Sequence, residues 1–224
     1  MTDILVVTAH PQMAHSRVTR QLMLAAAKLP AHRVHVRDLY ALYPDYLIDV
    51  AAEQACLRRA SLLVWLQPIY WYGMPPLLKL WLDEVFAFGW AYGPGGQALR
   101  GKHLWLVAST GGPAESYAPD GYNHFEFEAF LPPYQQSAAL TGMHWLPPLL
   151  LHGAHQVDTA TLQGHIEALA DKLQRWPDWA SDGIQPHASN PAHPSTGKAG
   201  EPPASASASA STSTTVPSTA RPAR

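Results

Sequence analysis

Short apolar runs alternate along the chain with stretches in which apolar residues recur every three or four positions. Ile4-Leu5-Val6-Val7 is an unbroken apolar run of the kind found in parallel strands covered on both faces. Val34-His35-Val36, Leu62 to Leu66, His103 to Ala108 and Trp145 to Leu151 read as four more strands. Pro147-Pro148 confines the last to an edge or interrupts it. The intervening spacing predicts helices. Ser16 opens the first, with Val18, Leu22, Ala25, Ala26 and Leu29 at helical intervals and a stop at Pro30. Others cover Glu53 to Ala60, Pro75-Pro76 to about Phe86, and Thr159 to Trp176, proline being tolerated in a first turn. A further helix over Phe125 to Leu140 is expected to be disturbed by Pro132-Pro133. Five strands separated by helices, none joined by a tight hairpin turn, imply an α/β fold with a doubly wound parallel sheet.

Ligands in such sheets bind beyond the C-terminal ends of the strands. Three loops lie at such ends: His10 to Ser16, Gln67 to Gly73 and Ser109 to Tyr122. The first has no glycine, so it is not a dinucleotide-binding turn, despite Asp38 near the end of the second strand. Ser16 and Thr19 at a helix N-terminus can instead bind a phosphate. No Asp or Glu occurs from Ile4 through Arg37, while Arg17, Arg20, Lys28, Arg33 and Arg37 do, which suits a phosphomonoester. The alternative is ordinary N-capping by Ser16 on an exposed basic helix.

In the second loop, Tyr70-Trp71-Tyr72 follows Pro68-Ile69 directly. A loop cannot bury three consecutive aromatics against one face, so the run suits a flat aromatic ligand or a subunit interface. In the third, Ser109-Thr110-Gly111-Gly112 lets backbone approach a ligand closely. Tyr117 and His124 follow at positions able to return over the same site as proton or hydrogen-bond donors, or else to sit on the surface.

Composition then limits the rest. Of 224 residues 47% are apolar, but only 14% are charged, where about 25% is usual. A net charge of -2 offers no global field for nucleic acid or anionic membrane. The last aromatic is Trp179; from Ser181 on, Ser, Ala, Thr and Pro dominate and Ile184 and Val216 are the large aliphatics. Such a segment buries too little to offset its ordering entropy, so residues 1–180 are expected to form one domain and 181–224 a disordered tail. The sole cysteine, Cys56, fits a reducing compartment and a packed thiol. Ile4 to Ala9 is too short for a signal h-region, and the apolar stretch Leu62 to Gly93 is broken by prolines and charges, so a soluble chain is expected. Gly96 to His103 mimics a phosphate-binding P-loop, but it precedes a strand and has His103 where Ser or Thr would hold magnesium. The histidines, including His152 and His155, form no metal-ligand pattern, and no metal is expected.

His10-Pro11, Ser16, the loop from Pro68 to Pro76, Gly89-Trp90-Ala91-Tyr92-Gly93 and Thr110-Gly111-Gly112 together resemble the flavodoxin-like NAD(P)H:quinone oxidoreductases. Asp38-Leu39-Tyr40, Pro75 to Trp81, Gly93 to Gly96 and Met143 to Leu146 are similar to the branch of ancillary proteins of glutathione-regulated potassium-efflux systems. The resemblance covers about residues 3–176 and implies strand order 2-1-3-4-5. It implies FMN rather than FAD, with NAD(P)H as co-substrate. His10, Ser16, Arg17, Val18 and Thr19 would hold the phosphate and ribityl side, and Pro68, Ile69, Tyr70, Trp71 and Tyr72 would pack along the isoalloxazine. Ser109, Thr110, Gly111 and Gly112 would contact its edge. Tyr117 would assist hydride transfer; His124, one residue out of place, would be its partner. The implied chemistry is two-electron reduction of a quinone by a ping-pong mechanism. A homodimer is also implied, as is a regulatory role on a potassium/proton antiporter. The location would be cytoplasmic, either free or peripheral on the cytoplasmic face of the inner membrane. The alternative is a regulatory subunit whose flavin is structural or sensing.

Overall fold

The computed structural model describes residues 3–181, so the segment expected to be a disordered tail lies, from 182 onward, outside the described residues. Five parallel strands, β1 (Ile4–Thr8), β2 (Val34–Asp38), β3 (Leu62–Pro68), β4 (His103–Ser109) and β5 (His144–Leu151), form one sheet in the order β2-β1-β3-β4-β5. Helices α1 (Thr19–Ala27), α2 (Leu39–Leu42), α3 (Val50–Arg59), α4 (Pro76–Val85), α5 (Pro132–Leu140) and α6 (Thr159–Gln174) connect and cover them.

Side chains alternate across a strand, and here both sides are buried. Leu5, Val7, Leu63, Trp65, Leu104 and Leu106 point toward Cys56 and Leu57 of α3, Leu78 and Trp81 of α4 and Tyr134 of α5. Ile4, Val6, Leu62, Val64, Trp105 and Val107 point the other way, onto Leu22 and Ala26 of α1 and Leu169 and Leu173 of α6. Trp176 and Trp179, just past α6, complete that second core. Cys56 is packed in the first, as its apolar setting predicts.

Two local expectations change and a third holds. Ser16 does not open a helix: a 3-10 turn over Met13–His15 takes up the Ser16 N–H through Met13 O at 3.1 Å, and the chain stays extended there before α1 starts at Thr19. Pro132-Pro133 begins α5 instead of disturbing a longer helix, because the first turn needs no N–H from either residue; a 3-10 turn over Phe127–Phe130 precedes it. Pro147-Pro148 sits in the edge strand β5, whose register shifts between Trp105 and Val107 of β4. No helix among the described residues is long and apolar enough to cross a membrane.

Candidate functional site

The sheet reverses direction of winding between β1 and β3, and a cavity of about 410 Å³ opens there at the C-terminal ends of the strands. The loop after β1 supplies His10, Ser16, Arg17 and Val18, that after β3 Pro68, Ile69 and Tyr70, and that after β4 Ser109, Thr110 and Gly111. All ten were singled out from the sequence. A second cavity of about 240 Å³, sharing Ile69, is lined by Trp71, Tyr72, Gly112 and Tyr117 together with Ser116, Tyr122 and Asn123. Thr19 is buried and does not line the first cavity. His124 lines neither; it is exposed, in a turn with φ +60°.

The basic end is built from the start of α1. Asp49 caps α3 and Asp158 caps α6, each accepting from a backbone N–H at 2.9 Å, whereas α1 has no side-chain cap and no acidic residue in its first turn. Its N-terminal N–H groups and dipole therefore suit an anion, next to the exposed Arg17. His10 Nδ1 accepts from Gln12 N at 3.1 Å, and its Nε2 lies 3.4 Å from the Tyr70 hydroxyl. Burial lowers the His10 pKa from its ordinary value, partly offset by the nearby Asp38. The neutral ring thus carries its proton on Nε2 and faces Tyr70.

The aromatic wall is strained. Tyr70 N and Gly73 O, and Gly73 N and Tyr70 O, close a tight turn at 3.1 and 3.0 Å, with Trp71 and Tyr72 at φ +49° and +63°. Bulky residues in the left-handed region are rare and costly, and such strain persists where the surrounding structure holds it, commonly at ligand sites. The turn leaves Trp71 95% exposed and swings Tyr72 onto Phe130, with ring centroids 5.0 Å apart. The Tyr72 hydroxyl donates to Asn123 Oδ1 at 3.2 Å. Ile69 N donates to Ser109 O at 2.7 Å, tying this loop to the next.

A fourth loop, after β5, whose His152 and His155 form no metal-ligand pattern, brings Ala154 and His155 into the first cavity. A Cβ on Gly111 would lie 3.1 Å from His155 Nε2, so the wall there is closely fitted. Gln12 and His15 also line this cavity. The rule that flagged the other three loops applies equally to this one, since it too follows the C-terminal end of a parallel strand.

Residues 2–173 match the family described as flavodoxin-like fold. The chain belongs to that family. Among solved structures, this flavodoxin-like chain is similar to a protein named thermophilic tryptophan halogenase from Streptomycin violaceusniger, with 38% identity, TM-score 0.71, and coverage of 75% of this chain and 96% of that one. It is equally similar in sequence to general stress protein 14 of Treponema denticola, solved in complex with FMN, with 38% identity, TM-score 0.69, and coverage of 79% and 98%. An NADPH-quinone reductase from P. pentosaceus shares 28% identity over 76% of this chain and 96% of that one, at TM-score 0.68.

Proposed function

We propose that this flavodoxin-like chain is an FMN-dependent NAD(P)H:quinone oxidoreductase. The observation that carries the reading is the convergence of an uncapped helix N-terminus, a strained aromatic turn and a close-fitting glycine wall on two adjoining cavities that share Ile69. The FMN-bound relative and the quinone reductase among similar structures support it. The site fits the group: an acid-free, arginine-bearing end for a phosphate, an aromatic flank for a ring, and a volume within the roughly 300–1,000 Å³ of small-molecule sites.

Bound FMN would supply the two-electron chemistry, accepting a hydride from NAD(P)H and giving it to a quinone in a ping-pong cycle. Ser16, Arg17, Val18 and the first turn of α1, with Thr19 packed behind, would hold the phosphate. Pro68, Ile69 and Tyr70 would flank the ring, and Ser109, Thr110, Gly111 and Gly112 would meet its edge. Tyr117, lining the second cavity beside Gly112, would orient the co-substrate and donate to developing charge. Trp71 and Tyr122, which line that cavity, are 95% and 85% exposed, which supports a homodimer whose second copy covers it.

Purified protein is expected to be yellow, or to take up FMN, and to oxidise NADH or NADPH with a benzoquinone. Colourless protein that binds no FMN would overturn the reading. Tyr117→Phe is expected to lower turnover on the order of 10- to 100-fold with FMN still bound; unchanged turnover in a stopped assay removes Tyr117 from the reaction. The regulatory role toward a potassium/proton antiporter, at the cytoplasmic face of the membrane, predicts co-purification with such a transporter.

A further inference from the structure

The loop after β5 is laced to the loop after β4. Thr110 N donates to Leu151 O at 3.0 Å, Gly153 N to Gly112 O at 2.8 Å and Ala154 N to Thr110 O at 2.8 Å. His152 stands at the centre of this seam. Its Nδ1 lies 2.9 Å from Thr110 Oγ1, and the same hydroxyl donates to Gly112 O at 2.8 Å. A threonine hydroxyl has one proton, and a carbonyl can only accept. When that proton goes to Gly112 O, which also accepts from Gly153 N, Nδ1 is the donor to Oγ1. That arrangement corresponds to the Nδ1–H tautomer of the imidazole. Its ring centroid lies 5.3 Å from that of Tyr117 and 5.2 Å from that of Phe127.

Burial lowers the His152 pKa; Glu128 opposes this and His165 adds to it. Burial therefore favours the uncharged ring.

We propose that His152 is a positioning residue for the site. Its Nδ1–H, given to Thr110, locks the turn from Thr110 to Gly112 that runs from the first cavity to the second, while its ring packs against Tyr117 at the second. One side chain from the fourth loop thereby sets the relative placement of that turn and of Tyr117. This rests on the reading of the two cavities as one flavin site.

Two measurements test it. In the first, the ring nitrogens of His152 in wild-type protein are observed by ¹⁵N NMR at pH 7.5, assigned by loss of the signals in His152→Asn. The Nδ1–H tautomer is expected; the Nε2–H tautomer overturns the proposal. In the second, the FMN dissociation constant is measured for wild type, His152→Asn, His152→Gln and His152→Leu. Asn places an amide donor near the position of Nδ1, and Gln places one near Nε2. His152→Asn is expected to bind FMN within about threefold of wild type, and His152→Gln and His152→Leu about tenfold more weakly, the effect of one lost hydrogen bond. Equal affinity across all three variants overturns the proposal. Wild-type protein that binds no FMN would remove the flavin reading alone, because the tautomer measurement still decides how His152 is held.

Discussion

Glu53→Ala is expected to cost about 3–5 kcal/mol of folding stability, the penalty for stranding the partner of a buried ion pair. Glu53 is fully buried on α3, with Oε1 2.7 Å from Arg37 Nε of β2 and 2.5 Å from the Tyr43 hydroxyl. Its Oε2 accepts from Trp81 Nε1 of α4 at 3.0 Å. Burial, with the hydrogen bond and charge of Glu53, pushes the Tyr43 pKa up to about 12, although Arg37 works against the rise. Three donors on three segments thus depend on one carboxylate. Truncation leaves a partly buried guanidinium and a buried indole N–H without their acceptor. Glu53→Gln keeps the volume but turns an amide donor toward other donors, and about 1–3 kcal/mol is expected. Replacing Arg37 and Glu53 together by Met should be far milder than Glu53→Ala, since removing both charges spares the unpaired one. Urea unfolding followed by circular dichroism measures all three. A loss below about 1 kcal/mol for Glu53→Ala would mean that the pair does not hold these segments.

Trp105→Ala is expected to cost about 3–5 kcal/mol through the cavity it leaves. Trp105 is fully buried in the core under α1 and α6, its ring centroid 5.0 Å from that of Trp179. Its Nε1 donates to Pro147 O at 3.1 Å. That carbonyl lies in β5 where pairing with β4 slips, so the indole supplies a bond across an irregular stretch of the ladder. Trp105→Phe retains most of the volume and loses the donor; about 1–3 kcal/mol is expected. Urea midpoints that fall at unchanged slope would assign both effects to stability alone. Equal midpoints for Trp105→Phe and wild type would show that Pro147 O needs no partner.

The sheet was legible because its strands are buried on both faces, which writes them as unbroken apolar runs. The same property made the C-terminal loops legible as candidate sites, since the direction of every strand follows from the parallel topology. Local endings were less so. Ser16 has the chemistry of a helix cap, but a 3-10 turn uses its N–H first. Pro132-Pro133 carries two opposite meanings, a break or a beginning, and only the packing of Tyr134 and Ala138 in the core selects the second. His124 and His152 show the limit most directly. Counting residues after Gly111-Gly112 points to His124, which the turn around it leaves exposed in a left-handed conformation. The imidazole beside Tyr117 arrives from another strand end, 35 residues further along the sequence.

The order of apolar runs and helical faces therefore determined the architecture by itself, because burial periodicity is a local property of the chain. It also determined which three loops hold polar, aromatic and glycine residues at the strand ends. Only the tertiary structure decided which residues share a cavity: the approach of the loop after β5, the turn that sends Trp71 outward and Tyr72 onto Phe130, and the division of the site into two adjoining hollows. Those contacts join segments far apart in sequence, and no periodicity within any one of them encodes which partner comes to face it.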